Sequence, residues 1–134
     1  MKIEPAPDVQ EIMEDVAYRL ELKHVKPWRI VCMRSQGSKA RAYARIWSLP
    51  KIWQQALRVE PHYVMEVLSE KYDALSKEEK EKTVIHELMH VPKTFSGSLV
   101  PHLCFGKRID RRAVDELYKK YKSSSEIRRK GLFS

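Results

Sequence analysis

The chain has 134 residues, of which 43% are hydrophobic and 33% are charged, and 26 basic against 18 acidic residues give it a net charge of +8. This length and composition suit one globular domain and exclude a low-complexity or disordered chain. No apolar run approaches the roughly 18–20 residues of a membrane-spanning helix, and the acidic start lacks the apolar block of a signal peptide. We therefore expect a cytoplasmic protein that does not associate with membranes.

The first predicted elements are one helix and two strands. Apolar residues recur on one face of a helix over residues 8–22. Asp8 is its expected N-cap, and Glu11 three positions later completes a capping box. Two strands follow, over residues 28–34 and 40–47, because both stretches are rich in β-branched and aromatic types. Since sequential strands usually lie side by side, we expect these two to pair.

The middle of the chain predicts a short helix, a third strand and a long capped helix. The short helix covers residues 49–57 and has one apolar side. The strand covers residues 62–68. Ser76 with Glu79 forms a capping box for the long helix, which covers residues 76–91 and ends before a proline.

A final helix is predicted over residues 109–122, after a loop that contains glycine and proline. Together the elements favour an α+β fold with a small mixed or antiparallel sheet of about three strands. An N-terminal helix, the long central helix and a C-terminal helix would pack against this sheet. Residues 1–122 are expected to form a single domain, and the basic residues 123–134 a flexible tail.

The long helix contains the sequence His86-Glu87-Leu88-Met89-His90, which is an HExxH motif. Two histidines four positions apart lie on one helical face, where both imidazoles can reach one Zn²⁺ ion. Glu87 projects to the adjacent side, so it is placed to act on a metal-activated water rather than to bind the metal. The apolar residues of this helix occupy the opposite arc, which lets one side pack in the core while the other faces a cleft.

A catalytic zinc site needs three protein ligands and an open fourth position for water. His102 is the preferred third ligand, because it follows a loop that can return the chain over the helix. Glu116 on the last helix is its main rival. Weaker alternatives are Asp110, Asp115 and Cys104.

These residues predict a zinc metallopeptidase that hydrolyses peptide bonds in intracellular proteins. Glu87 would accept a proton from the metal-activated water and later deliver it to the leaving amine. The candidate donors for the oxyanion are Tyr118, Tyr121, His62 and Arg111. A peptide substrate could add as an extra strand to an edge formed by residues 62–68 or by residues 41–47.

Three stretches of the chain resemble the metallopeptidases of archaea and phages: ARAYARIWSLPKIWQQAL, HYVMEVLSEKYDALSKEEKEK and VIHELMHVPKTFSGSLVPH. The resemblance covers about residues 8–122 and implies a minimal zincin fold in a single zinc-dependent domain. It implies His86, His90 and His102 as zinc ligands and Glu87 as the catalytic glutamate. The chain is also similar, at a distance, to SprT-type proteases, which cleave proteins crosslinked to DNA.

The basic surplus supports a second interpretation. Ten basic residues are concentrated after residue 106: Lys107, Arg108, Arg111, Arg112, Lys119, Lys120, Lys122, Arg128, Arg129 and Lys130. A positive field of this kind attracts nucleic acid. The alternative hypothesis is therefore a basic nucleic-acid-binding or adaptor protein with a structural or vestigial metal site, and a peptidase could also bind nucleic acid weakly through this region.

Overall fold

The computed structural model describes residues 1–104 and 107–133, with side chains described for residues 1–102 and 109–124. Its elements are β1 (Lys2–Pro5), α1 (Pro7–Arg19), a 3-10 turn (Pro27–Arg29), β2 (Ile30–Gln36), β3 (Ala44–Ser48), α2 (Lys51–Leu57), β4 (Tyr63–Leu68), α3 (Ser69–Tyr72), α4 (Lys77–Leu88), β5 (Leu103–Cys104), β6 (Lys107–Arg108) and α5 (Arg111–Phe133). The protein therefore has the α+β fold that the sequence predicts.

Four strands form one mixed sheet in the order β1-β2-β4-β3. β2 and β4 run parallel, whereas β1 and β3 are antiparallel to their neighbours. The predicted pairing of the strands at residues 28–34 and 40–47 is wrong, because β4 lies between them. Five of the six residues of β4 are buried, which suits a central position, whereas β3 has no buried residue and takes the edge. β1 was not predicted, since four residues ending in proline carry little strand signal.

The hydrophobic core lies between one face of the sheet and the helices α1, α4 and α5. Alternate residues of the central strands point into it, including Cys32 on β2 and Met65 on β4, which are adjacent in the sheet. The opposite face of the sheet carries Val31 and Trp47, both of which are exposed. This arrangement presses the apolar arc of α4 into the core and leaves its polar arc beside the edge strand β3.

α1 begins one residue earlier than its predicted N-cap. The N-cap is Ala6, and Pro7 occupies the first helical turn without a side-chain cap. Proline is favoured there because its fixed φ suits the helix and its missing N–H needs no partner. Asp8, predicted as the N-cap, instead forms an ion pair with Arg34 at 2.7 Å.

α4 begins where the capping motif predicts, and the Ser76 hydroxyl accepts a hydrogen bond from the Glu79 N–H at 3.2 Å. The helix ends at Leu88, three residues before its predicted end. A residue that precedes proline is driven away from helical conformation, so the chain leaves α4 through a turn. In that turn the His90 N–H donates to the Glu87 carbonyl at 3.1 Å.

α2 forms where it is predicted, but its expected apolar side does not pack in the core. Ile52, Trp53 and Leu57 are all more than half exposed. The helix is instead tied to the loop after α4 by a polar contact, in which the Gln54 amide donates to the Ser96 carbonyl at 3.2 Å. Seven residues make too short a helix for periodicity alone to show which side is buried.

The backbone of α5 continues to Phe133, beyond its predicted end at residue 122. The division into a domain over residues 1–122 and a flexible tail over residues 123–134 stays a prediction. Within the part of the chain that the structure describes, no helix is long and apolar enough to cross a membrane.

Candidate metal centre

Three histidines meet at the C-terminal end of α4. Ligand atoms of His86, His90 and His102 all lie within 4.8 Å of one another. The ring centroids of His86 and His90 are 5.2 Å apart, and the His102 ring lies 5.3 Å from the first and 4.6 Å from the second. His86 belongs to the last turn of α4, His90 follows one turn later, and His102 comes from the loop before β5. Three imidazoles gathered in this way could hold one divalent cation.

The loop after α4 is fastened to His90 at two points. The Val100 N–H donates to the His90 carbonyl at 2.7 Å, and the His90 Nδ1 contacts the Val100 carbonyl at 2.5 Å. Since a carbonyl can only accept, Nδ1 carries the hydrogen and Nε2 keeps a free lone pair. This clamp brings His102, two residues later, to the cluster and sets the tautomer that a metal ligand requires.

A tight turn at Gly97 completes the support of this loop. Gly97 has φ +94°, and a side chain there would approach the Leu49 carbonyl oxygen at 2.8 Å. The Gly97 N–H donates to the Tyr63 hydroxyl at 2.9 Å, and that hydroxyl donates to the Ser98 carbonyl at 2.8 Å. Sequence analysis missed the role of Tyr63, because the contact joins residues far apart in the chain.

Two histidines of the cluster, His86 and His90, are held in their neutral form. Burial, helped by the nearby His90 and His102, lowers the pKa of His86 to about 4. Burial also lowers the pKa of His90, although its hydrogen bond to Val100 acts in the opposite direction. Neutral imidazoles present lone pairs near pH 7, so a cation need not displace protons from these two rings.

Glu87 is buried beside the histidines and lacks compensation for its charge. The residue is only 6% exposed, and its Oε2 atom has no hydrogen-bond partner among the described residues. Burial raises the pKa of Glu87 to about 7. A buried carboxylate without partners destabilises a fold, and strongly perturbed groups of this kind cluster at functional sites.

A cleft of about 790 Å³ opens at the cluster, with His86, Glu87 and His102 in its lining. The chain that leads into β3 forms one wall, and the beginning of α5 contributes to another. The cationic side chains of the cleft are all paired with carboxylates: Arg45 with Glu66 at 2.7 Å, Lys82 with Asp115 at 3.1 Å, and Arg111 with Glu79 at 2.7 Å. The cleft therefore offers a free carboxylate and free imidazoles rather than free positive charge.

The rival ligands lie in other surroundings. Glu116 is exposed, lies outside the cluster and is 3.9 Å from Arg112. Asp110 accepts a hydrogen bond from the Ala113 N–H at 3.0 Å and so caps α5. Asp115 lines the cleft but is ion-paired with a lysine. The side chain of Cys104 lies outside the described residues. Of the candidates for a third ligand, the structure thus brings His102 to the other two histidines.

All four candidate oxyanion donors have other partners. The Tyr118 hydroxyl donates to Glu81 at 3.1 Å, and the Tyr121 hydroxyl donates to Asp15 at 2.6 Å. His62 contacts the Glu60 carbonyl at 2.6 Å. Arg111 does line the cleft, although it is ion-paired there.

Tyr43 is a further candidate donor in the cleft, which sequence analysis did not consider. It lines the cleft together with His86 and His102 and is 50% exposed. Its carbonyl accepts a hydrogen bond from the Leu68 N–H at 2.9 Å, which fixes its backbone beside β4. Its hydroxyl has no partner in the described part of the chain, so it is available to a bound molecule.

The sheet topology also distinguishes the two candidate substrate edges. β4, which corresponds to the predicted strand at residues 62–68, is hydrogen-bonded on both sides. β3 pairs only with β4 in the four-stranded sheet, so its outer edge is free to accept an extended segment. That edge borders the cleft.

The basic third of the chain is only partly described. The side chains of Lys107, Arg108 and residues 128–130 lie outside the described residues. Lys119 and Lys120 are exposed on α5, whereas Lys122 lies 3.5 Å from the buried Glu81. Nucleic-acid binding through this region stays a prediction.

Comparison with known proteins assigns the chain to a family. Residues 1–122 match a family model described as "putative phage metallopeptidase". No curated protein and no solved structure matches the chain. The match covers α1 to α4, both walls of the cleft and all three clustered histidines. The chain therefore belongs to the phage metallopeptidase family.

Proposed function

We propose that the protein is a zinc-dependent metallopeptidase that hydrolyses peptide bonds in cytoplasmic proteins. The observation that carries the proposal is the position of Glu87, a buried carboxylate with an unpartnered oxygen, beside three clustered histidines. Membership of the family supports a metallopeptidase, and an all-imidazole donor set supports zinc.

The residues present fit such an ion. His86, His90 and His102 would hold it, since the first two rings are neutral and Nε2 of His90 has a free lone pair. A zinc ion bound by three protein ligands supplies Lewis acidity, which activates water near neutral pH and polarises a carbonyl.

Glu87 would act as the general base. Its free Oε2 accepts a proton from the attacking water as the new C–O bond forms to the scissile carbonyl carbon. The same carboxyl then gives that proton to the amide nitrogen as the C–N bond breaks. A pKa raised to about 7 by burial suits both steps, because the group can gain and lose a proton near neutral pH.

β3 and Tyr43 would position the substrate. An extended segment can pair with the free edge of β3 through main-chain hydrogen bonds, which places its backbone along the cleft. Tyr43, just before β3, would donate its hydroxyl hydrogen to the carbonyl oxygen as negative charge develops there. Unfolded proteins offer such segments. The similarity to SprT-type proteases and the net charge of +8 make DNA-bound proteins a second class of substrate to test.

Metal content is the first test. We expect one zinc per chain in the purified wild type and almost none in His86→Ala. The matched control is His62→Ala, which removes a histidine outside the cluster and should keep its zinc. Near-zero zinc in the wild type would end this interpretation.

Cleavage of an unfolded protein such as casein, alone and beside a DNA-bound protein, then tests the activity. Equal cleavage by wild type and Glu87→Gln would remove Glu87 from the mechanism. If zinc is retained with four protein ligands and nothing is cleaved, the site is structural. In that case salt-sensitive nucleic-acid binding that survives Glu87→Ala would support the adaptor hypothesis instead.

A further inference from the structure

A second cavity, of about 870 Å³, lies on the other side of α4 from the histidine cluster. Its walls come from the end of α1, the last turns of α4, the loop that follows and the first half of α5. The lining is mainly apolar and includes Leu20, Leu88 and Leu117. Its volume falls within the roughly 300–1,000 Å³ of small-molecule pockets. None of the residues that line the cleft at the histidine cluster lines this cavity.

Polar groups stand at the mouth of this cavity, and their charges do not cancel. Lys93 and Lys120 line it, are exposed, and have no carboxylate partner among the described residues. Glu116 also lines the cavity, but its carboxylate lies 3.9 Å from the Arg112 guanidinium. Burial and the charge of Lys93 both lower the pKa of His24, which is therefore neutral at pH 7 and adds no charge. The mouth thus presents two uncompensated ammonium groups.

We propose that this cavity is a binding site for an amphipathic carboxylic acid with a single alkyl chain. The apolar lining would take the alkyl chain out of water, which is the main source of affinity for such a ligand. The carboxylate would stay at the mouth with Lys93 and Lys120, where charge-assisted hydrogen bonds can form at the solvent boundary. A neutral or cationic amphiphile would form no ion pair with either lysine. The positive charge of Lys93 and Lys120 therefore favours a ligand with a carboxylate headgroup.

The two sites share one helix. Ile85, Leu88 and Met89 line the cavity. In the sequence they are interspersed with His86, Glu87 and His90, so the same turns carry both sites. A ligand that binds only the folded protein stabilises it by mass action. Occupancy of the cavity would therefore stabilise the turns that carry the histidines. The proposal does not depend on peptidase activity.

Titration calorimetry of the full chain with decanoate, below its micellar concentration, tests the site. We expect saturable binding of one decanoate per chain. A Lys93→Glu/Lys120→Glu double variant should lose at least about tenfold in affinity, as expected when charge-assisted contacts become repulsive. The matched control is Lys77→Glu/Lys119→Glu, which changes the net charge equally but lies outside the cavity and should keep its affinity.

Two further measurements test the cavity independently of the charge reversal. Ala113→Trp should fill the cavity and abolish binding, with thermal unfolding used to show that the variant is folded. If it does not fold, decanol provides the test as a neutral probe. Decanol should bind the wild type more weakly than decanoate does, and its affinity should be the same for the Lys93→Glu/Lys120→Glu variant. Decanoate must also bind unchanged to His86→Ala, because a carboxylate on a metal would be lost there. Absence of saturable binding, equal affinity of both double variants, or loss of binding in His86→Ala would overturn the proposal.

Discussion

Two buried glutamates in this molecule have equal exposure and opposite electrostatics. Glu66, on the open face of the sheet, and Glu87, in the cleft, are each 6% exposed. Glu66 accepts hydrogen bonds from Ser35 at 2.6 Å and from Arg45 and Trp47 at 2.7 Å each. Burial raises the pKa of Glu66, but the hydrogen bonds from these three donors lower it by more. The pKa therefore lies below its ordinary value. Glu87 has an unpartnered oxygen and a pKa raised to about 7.

The difference shows that the donors around a buried carboxylate, and not its burial, decide its role. Strand register places Arg45 directly opposite Glu66, so the sheet itself supplies the compensating charge. Glu87 lies on a helix between an apolar arc and the histidines, where the described residues supply no cation. We interpret Glu66 as a carboxylate that stabilises the fold and Glu87 as one kept available for chemistry.

The largest expected effect is that of Glu87→Gln. The substitution removes the general base, so kcat on casein should fall by about 10²–10⁴-fold. Stability should not fall, because the variant replaces an uncompensated buried charge with a neutral amide. Initial rates, zinc content and the unfolding midpoint measure the three quantities. A variant that lost zinc or stability together with its activity would show that Glu87 is structural, like Glu66.

The second-largest effect is expected for Tyr43→Phe, which removes the hydroxyl proposed to stabilise the oxyanion. Loss of one donor to a developing oxyanion lowers kcat by about 10²-fold, with little change in KM and none in zinc content. Tyr18→Phe is the matched control, since Tyr18 is exposed on α1 and lies outside the cleft. Equal kcat values for the two variants would show that Tyr43 is not the oxyanion donor. Arg111 or a group outside the described residues would then be the candidate.

Glu66→Gln should reverse the pattern of Glu87→Gln. We expect the free energy of unfolding to fall by about 1–3 kcal/mol, because the charge-assisted bonds to Arg45 and Trp47 are weakened. The kcat of the folded variant should match the wild type. Urea unfolding followed by circular dichroism measures the first quantity, and casein cleavage the second. Unchanged stability would contradict the role assigned to Glu66.

The contribution of Glu66 should also depend on pH. Its folded pKa lies below the ordinary value of 4.5, so the folded state holds the proton less tightly than the unfolded state. The stabilisation is therefore complete above about pH 4.5 and is lost as the pH falls through the folded pKa. The stability difference between wild type and Glu66→Gln should shrink between pH 6 and pH 3. A difference that stays constant over this range would assign it to packing instead.

The smallest effect concerns a buried group outside both glutamate sites. Burial raises the pKa of the Cys32 thiol to about 12. In a Cys104→Ser background, Cys32 should react with a disulfide reagent near pH 8 only as fast as the protein unfolds, since the thiolate is the reactive form. Rapid labelling of the native protein would show that burial at this position is incomplete.

Local signals in the sequence determined the part of the site that lies on one helix. The Ser76 cap, the HExxH spacing and the polar arc of α4 all follow from the geometry of a single helix, and the structure forms that helix with His86 and Glu87 as expected. Each rule relates residues only three or four positions apart, so one sequence suffices to apply it.

Tertiary structure alone decided the rest. The position of His102 beside His86 and His90 depends on the two hydrogen bonds between His90 and Val100, which hold the returning loop against the end of α4. The central place of β4, the free edge of β3 and the exposure of Tyr43 in the cleft depend on strand order. Strand order is set by which strand gains most from burial on both sides, and that gain comes from contacts between residues far apart in the chain, where local periodicity carries no information.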